Sequence, residues 1–439
     1  MENEKIIVGL DIGTTKICAL VGRKDKYDKL EVLGIGKSVS DGVVRGIITN
    51  IDKTVTSIKK AIKEAEESAG IDIRVVNASI SGRHIKSTIH RGSITREATD
   101  EEITVEDVHR LTNDMYRTVI PPGSEIIHVI PQNYTVDYET GIKDPVGMTG
   151  VKLEADFHII TAHASVVNNV YKCVKRAGIE VESLILEPLS SSLAVLSEEE
   201  KEAGVCLVDI GEGTVDIAIF HDSIIRHTAV IPFAGNSITT DIKAGCKVME
   251  CQAELLKTKF GKAITEEVNP HELVIIPGLR NRPPKEVSVR NLARIIESRM
   301  GEIIELIYTE AITSNFHGKL AAGIVITGGG SQLQDLKQLF EHTTGLDTRI
   351  GYPNEHLGKG KIDEIKSPTY ATGVGLVLVG FKALDYREEN YKISKGSAKG
   401  LQNIRKERQH VDFFRKILNR TKGMLIDDYD DKKSYTKPV

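Results

Sequence analysis

The chain has no apolar run of the roughly 18 residues that a bilayer-spanning helix requires, so any membrane contact has to be peripheral. It carries little net charge, −4 over 439 residues, and bulk electrostatics give no reason to expect a nucleic-acid partner. Cysteine is scarce: Cys18, Cys173, Cys206, Cys246 and Cys251 form an odd set without metal-ligand spacing. Cys18 and Cys206 lie inside apolar runs, which predicts reduced core thiols in a reducing compartment. The opening Met-Glu-Asn-Glu-Lys leads straight into an apolar run and lacks the features of a secretory leader. What remains is an ordinary soluble balance, 40% hydrophobic and 27% charged, on a chain long enough for two or three cores.

The strongest positive signal is a pattern that occurs twice. V-G-L-D-I-G-T-T-K-I-C-A-L-V-G spans 8–22, and C-L-V-D-I-G-E-G-T-V-D-I-A-I-F spans 206–220. Each copy is an apolar run, then Asp-Ile-Gly with small or hydroxyl residues, then a second apolar run. That predicts strand, tight turn and returning strand. Asp11 and Asp209 occupy matching places. Two similar hairpins far apart predict two similar lobes, each offering one phosphate hairpin to a shared cleft.

Strands are predicted near 30–36, 42–48 and 73–80. A helix is predicted over 51–69, where Ile51, Val55, Ile58, Ile62 and Ala65 recur at helical spacing. Residues 84–162, with a helix near 104–117 and a turn at Pro121-Pro122-Gly123, have a different texture and read as an inserted small α+β domain. The polar stretch 236–287 reads as a second, helical insertion, followed by a long helix near 288–315. A strand at 322–327 runs into Gly328-Gly329-Gly330-Ser331 and a helix near 332–341. The boundaries follow: first lobe 1–83, 163–199 and 367–384; insertion 84–162; second lobe 200–235 and 288–366; second insertion 236–287; flexible linker 385–409; amphipathic helix 410–427; acidic and polar tail 428–439.

Consecutive amides at Gly13, Thr14 and Thr15 make an anion nest, and Lys16 adds a point charge for a phosphate. Gly211, Gly213 and Thr214 repeat the arrangement. One such hairpin alone is an ordinary β-turn; two, with a third glycine loop at Gly328, Gly329, Gly330 and Ser331, point to a nucleotide. Asp11 and Asp209 are candidate magnesium carboxylates acting through water. Glu254 and Lys257 stand three apart on one helix face, a spacing that equally suits a surface ion pair worth about 0.2–0.5 kcal/mol. Glu187, before Pro188, either orients an attacking water or is a solvent-facing acid at a helix boundary.

The segment 411–425 is the second signal. At a helical 100° per residue, Val411, Phe413, Phe414, Ile417, Leu418, Met424 and Leu425 fall within an arc of about 160°. Asp412, Arg415, Lys416, Asn419, Arg420 and Lys422 take the remainder. Such a helix suits an anionic membrane surface; a partner protein is the alternative. Gly423 and the acids Asp427, Asp428, Asp430 and Asp431 weaken the hold, so one copy binds reversibly and many copies acting together bind stably.

Taken together these motifs resemble the actin-like ATPase superfamily and, within it, the FtsA family of bacterial division proteins. The resemblance runs from about 5 to 384 and extends to the terminal helix. It covers both hairpins, L-I-L-E-P-L at 184–189, A-E-L-L-K at 253–257, A-G-I-V-I-T-G-G-G-S at 322–331 and Thr372-Gly373-Val374-Gly375. It implies an α/β, two-lobed fold of duplicated ribonuclease H-like domains with an insertion in the first lobe. It implies ATP and Mg2+ in the cleft, with Asp11, Asp209 and Glu187 as the catalytic set, and Glu254 and Lys257 at the nucleoside. It implies slow turnover at most, self-polymerisation on the cytoplasmic face of the membrane at the septum, FtsZ-tail binding through 236–287, and later division proteins through 84–162. Relatives in pilus assembly and sugar or acetate kinases share the superfamily, but they do not need 411–425. Glu212 stands where the superfamily usually has glycine, and a carboxylate there repels phosphate unless it meets a cation.

The amphipathic segment gives a direct prediction. The intact chain should co-sediment with anionic vesicles, more so with ATP and Mg2+, and Phe414→Asp should stay in the supernatant.

Overall fold

The computed structural model describes residues 5–96, 101–278, 283–358 and 363–396. The amphipathic segment 410–427, with Val411, Phe413, Phe414, Arg415, Lys416, Ile417, Leu418, Arg420 and Leu425, lies outside the described residues, as does the tail after it.

Both repeated motifs fold as hairpins and seed matching sheets. In the first lobe, Ile6–Ile12 pairs antiparallel with Lys16–Lys24, which pairs antiparallel with Leu30–Val39. On its other side Ile6–Ile12 runs parallel to Val75–Ile80, and that strand parallel to Glu180–Leu186. In the second lobe, Val205–Ile210 pairs antiparallel with Val215–His221, and that strand with Ile224–Ile231. Val205–Ile210 also runs parallel to Ile324–Thr327, which is parallel to Thr348–Ile350. The two five-stranded orders are the same. Val205–Ile210 is buried along its whole length, as a strand covered by helices on both faces has to be.

Ile51–Ala69 covers one face of the first sheet, opened by an Asn50 cap on the Lys53 amide and closed by left-handed Gly70. Val55, Ile58, Ile62 and Ala65 are buried, so the helical spacing in the sequence is the packing stripe. Between the lobes run two helices, Glu187–Val195 and Ala371–Gly396. They share a core with both sheets that includes Leu20, Leu186, Leu193, Leu207, Phe220, Val374, Leu376 and Phe381. They cross at Gly375, where a Cβ would strike the Ser190 backbone. Only glycine permits so close an approach.

The first insertion is a four-stranded antiparallel sheet of Lys86–Thr95, Lys152–His163, Ser124–Val136 and Glu139–Ile142. The helix Val105–Met115, started by a Thr104–Asp107 capping box, lies on it. They enclose a core of their own around Leu111, Met115, Tyr134 and Phe157.

Two elements differ from the sequence-based expectation. The stretch 236–287 is not wholly helical. After Gly235–Cys246 and Glu250–Phe260 it holds a strand pair, Leu273–Ile276 with Lys285–Ser288. That Leu-Val-Ile-Ile run is too short to stand out among polar neighbours. Of the segment 385–409, expected as linker, residues 385–396 continue the helix Ala371–Gly396. At 385–387 the polar side chains have tertiary partners. Asp385 pairs with Lys24 at 2.8 Å, Tyr386 Oη meets His109 Nε2 at 3.1 Å, and Arg387 pairs with Glu182.

The helix crossing can be tested with two glycines. Alanine in a helix interior gains about 1 kcal/mol over glycine in intrinsic propensity. At Gly373 a Cβ meets nothing nearer than Leu20 Cδ1 at 3.9 Å, so Gly373→Ala should be neutral or stabilising in denaturant titrations. Gly375→Ala should instead cost about 1–3 kcal/mol, the range for an overpacked core.

Candidate nucleotide site

Each hairpin is closed by the same bond. Gly13 N donates to Lys16 O at 3.1 Å, and Gly211 N donates to Thr214 O at 3.0 Å. The Gly13 amide therefore serves the turn, which leaves Thr14 and Thr15 as the amides of the expected nest. The two turns meet across the cleft. A Cβ on Gly213 would lie 2.5 Å from Thr14 Oγ1 and 2.8 Å from Arg45 Cα, and Thr14 Oγ1 accepts from Gly46 N at 3.2 Å. Between the lobes lies a cavity of about 670 Å³. It is lined by Asp11, Gly13, Thr14, Thr15 and Lys16 from the first lobe, and by Asp209, Gly211, Glu212, Gly213, Thr214, Gly328, Gly329 and Gly330 from the second. Glu187 and Thr372 from the crossing helices and Glu254 and Lys257 from the second insertion complete it.

Carboxylates crowd its base. Asp11 accepts from Ser79 Oγ at 3.0 Å, and that hydroxyl accepts from Ile12 N at 3.0 Å. Asp209 Oδ2 accepts from Ser191 Oγ at 2.5 Å and from Thr372 Oγ1 at 3.2 Å. Its Oδ1 lies where a Gly328 Cβ would be, and Gly328 adopts a left-handed φ of 82°. Behind them Asp216 Oδ1 accepts from Ser81 Oγ at 2.5 Å, a bond between the lobes. Burial raises all these acids. It pushes Asp209 up to about 6, with Asp11 adding repulsion, and Asp216 up to about 7, with Asp209 adding repulsion. Burial first, then Asp216, Asp11 and Asp209, hold the Glu187 carboxyl well above its ordinary range. Oxygen donors crowded in this way fit a hard dication. No group of three His, Cys, Asp or Glu among the described residues is placed to hold a metal ion directly.

Glu212 meets a cation. Lys257 Nζ lies 3.2 Å from Glu212 Oε2 and 2.8 Å from Glu254 Oε2, and it donates to Thr239 Oγ1 at 2.8 Å and Gly235 O at 3.1 Å. Glu254 and Lys257 are thus no isolated surface pair. They tie the second hairpin to the second insertion. The glycine loop does not feed an α-helix directly. It turns through the short 3-10 segment Gly329–Gln332, and the next helix, Leu336–Thr344, starts later. Ser331 is fully buried and donates to Gly328 O at 2.8 Å, so it braces the loop from behind and does not line the cavity.

A family model described as cell division protein FtsA matches residues 206–375, and one described as an SHS2 domain inserted in FtsA matches 82–161. The chain is 40% identical over 382 residues to the cell division protein FtsA of Pseudomonas aeruginosa, covering 87% of this chain and 91% of that protein. It is 38% identical over 428 residues to the FtsA of Borreliella burgdorferi, covering 97% and 100%. The chain belongs to the FtsA family of cell-division proteins. Among solved structures, the PilM-PilN type IV pilus biogenesis complex superposes with a TM-score of 0.61 at 15% identity, covering 85% of this chain and 98% of that one. MreB5 of Spiroplasma citri bound to ADP superposes at 0.53 and 15% identity, covering 88% and 99%. The fold is actin-like, with the FtsA family's insertion in the first lobe.

Reasoning from sequence missed Asp216, Ser191, Ser79 and Ser81. Asp216 had a signal: it is the cross-strand partner of Asp209, as Cys18 is of Asp11. Cross-strand partners share a face, so an aspartate there doubles the charge.

A carboxyl whose folded pKa is raised binds more protons folded than unfolded near neutrality. Its stabilising contribution is full below the ordinary carboxylate range and is lost as pH rises through the folded value. The nucleotide-free protein should therefore lose thermal stability between about pH 5 and about pH 8. Asp216→Asn should flatten the upper part of that slope, and Mg2+ should restore stability more at the higher pH.

Proposed function

We propose that this chain binds ATP with Mg2+ in the interlobe cleft and that the nucleotide-closed form assembles into an actin-like polymer on the membrane. The observation that carries the reading is the convergence of two equivalent hairpins and a carboxylate cluster on one cavity. Amides of Thr14 and Thr15 and the turn at Gly213 and Thr214 cradle the phosphates, and Lys16 supplies charge. Gly328, Gly329 and Gly330 form a flat wall for the nucleoside, whose hydroxyls meet Glu254 and Lys257. Asp11 and Asp209 would hold a Mg2+ ion through water, and such an ion would supply positive charge beside the phosphates. Glu187, whose carboxyl is held well above its ordinary range by burial and by Asp216, Asp11 and Asp209, would orient the attacking water. The protein is at most a slow ATPase.

Polymers multiply the weak hold of 411–425 on anionic lipid and place the protein on the cytoplasmic face of the membrane at the septum. There it tethers FtsZ filaments by their C-terminal tails through 236–287 and receives later division proteins through 84–162. Membership of the FtsA family supports this assignment. Among the described residues no helix is long and apolar enough to cross a membrane.

Gly329 offers a clean test. A Cβ there meets no protein atom within 4 Å, and its φ is not left-handed, so a side chain at 329 enters the cleft without straining the fold. Gly329→Leu should leave the melting temperature unchanged and lower Mg-ATP affinity by roughly tenfold or more, read by calorimetry. Glu187→Gln should keep that affinity and lose phosphate release.

A further inference from the structure

Lys16 is held in an unusual way for a half-buried lysine. Its ammonium sits 3.7 Å from the centroid of the Tyr370 ring and donates to Thr369 O at 2.9 Å. No ion pair with a carboxylate is formed by Lys16 among the described residues. A carboxylate partner would cancel its charge; a carbonyl and an aromatic face hold a cation in place and leave that charge available. An ammonium has three N–H donors. The carbonyl takes one and the ring faces another, and since Lys16 lines the cleft the third remains for an anionic oxygen.

The ring itself is fixed from both sides. Tyr370 is 6% exposed, and its hydroxyl donates to Glu364 Oε1 at 2.7 Å. The same carboxylate pairs with Lys37, whose ammonium lies 5.1 Å from the ring centroid. Next to it, Thr369 Oγ1 accepts from Gln332 Nε2 at 2.7 Å, which ties the segment to the glycine loop of the second lobe. Hairpin and glycine loop therefore converge on two consecutive residues.

We propose that Tyr370 is a positioning residue for polyphosphate. Its ring, with the Thr369 carbonyl, holds the Lys16 ammonium at the hairpin end of the cleft without a direct carboxylate ion pair. This inference rests on the nucleotide reading above. It adds that discrimination between a nucleoside and its polyphosphate depends on an aromatic face that touches no phosphate.

The test is equilibrium binding of Mg-ATP and of adenosine to the full chain. Tyr370→Phe keeps the ring and loses the bond to Glu364; it should bind ATP within about twofold of wild type. Tyr370→Leu should lose about tenfold for ATP and little for adenosine. Lys16→Met should lose a similar factor, and the double variant should be no worse than Lys16→Met alone. Wild-type ATP affinity in Tyr370→Leu, equal losses for ATP and adenosine, or additive losses in the double variant would each overturn the proposal. Should the leucine variant fail to fold, phenylalanines of increasing fluorination at 370 preserve shape and weaken the ring face. A stepwise fall in ATP affinity supports the proposal, and a flat series overturns it. A wild-type chain that binds neither ligand overturns the nucleotide reading, and this inference with it. Normal wild-type binding with insensitive variants overturns this inference alone.

Discussion

The architecture depends on one close contact, the crossing of Glu187–Val195 and Ala371–Gly396 at Gly375 and the Ser190 backbone. Each helix leaves one lobe and packs on the core shared by both. Because they touch without side chains between them, the sheets approach until Gly213 lies against Thr14. A wider crossing would separate the hairpins, and neither turn alone encloses a cavity. The same helices also carry chemistry to the cleft. Glu187 begins one, and Thr372, bonded to Asp209, lies in the first turn of the other.

This closeness has an electrostatic consequence. Bringing the hairpins together also brings Asp11, Asp209 and Asp216 together with Glu187, and burial then disfavours their ionised forms. Hydroxyls from Ser79, Ser81, Ser191 and Thr372 satisfy part of the set but bring no positive charge. The base of the cleft is thus an acid cluster that a dication would stabilise, with Lys16 at its edge. On the side of the second insertion the carboxylates do meet a cation. Lys257 pairs with both Glu212 and Glu254, so the carboxylate at 212 is directed to the second insertion.

Much of the fold is legible in the chain. The duplicated Asp-Ile-Gly turns declare two hairpins, and the spacing of Val55, Ile58 and Ile62 declares a helix. These are local signals, set by side-chain alternation, turn chemistry and helical period. The failures are also local in origin. The charges at 385–387 look solvated until Lys24, His109 and Glu182 are placed beside them, and Leu273–Ile276 is too short to declare a strand.

By itself the sequence determined which segments form the two sheets, where the two hairpin turns lie, and that Asp11 and Asp209 are equivalent. Only the tertiary structure decided what those residues face. That Ser81 meets Asp216, that Lys257 meets Glu212, and that Tyr370 holds Lys16 are pairings over long separations in the chain. Periodicity specifies which side of an element is buried. Which residue from a distant element meets it there is set by how closely the lobes pack, and that distance is settled at a glycine whose importance no local pattern announces.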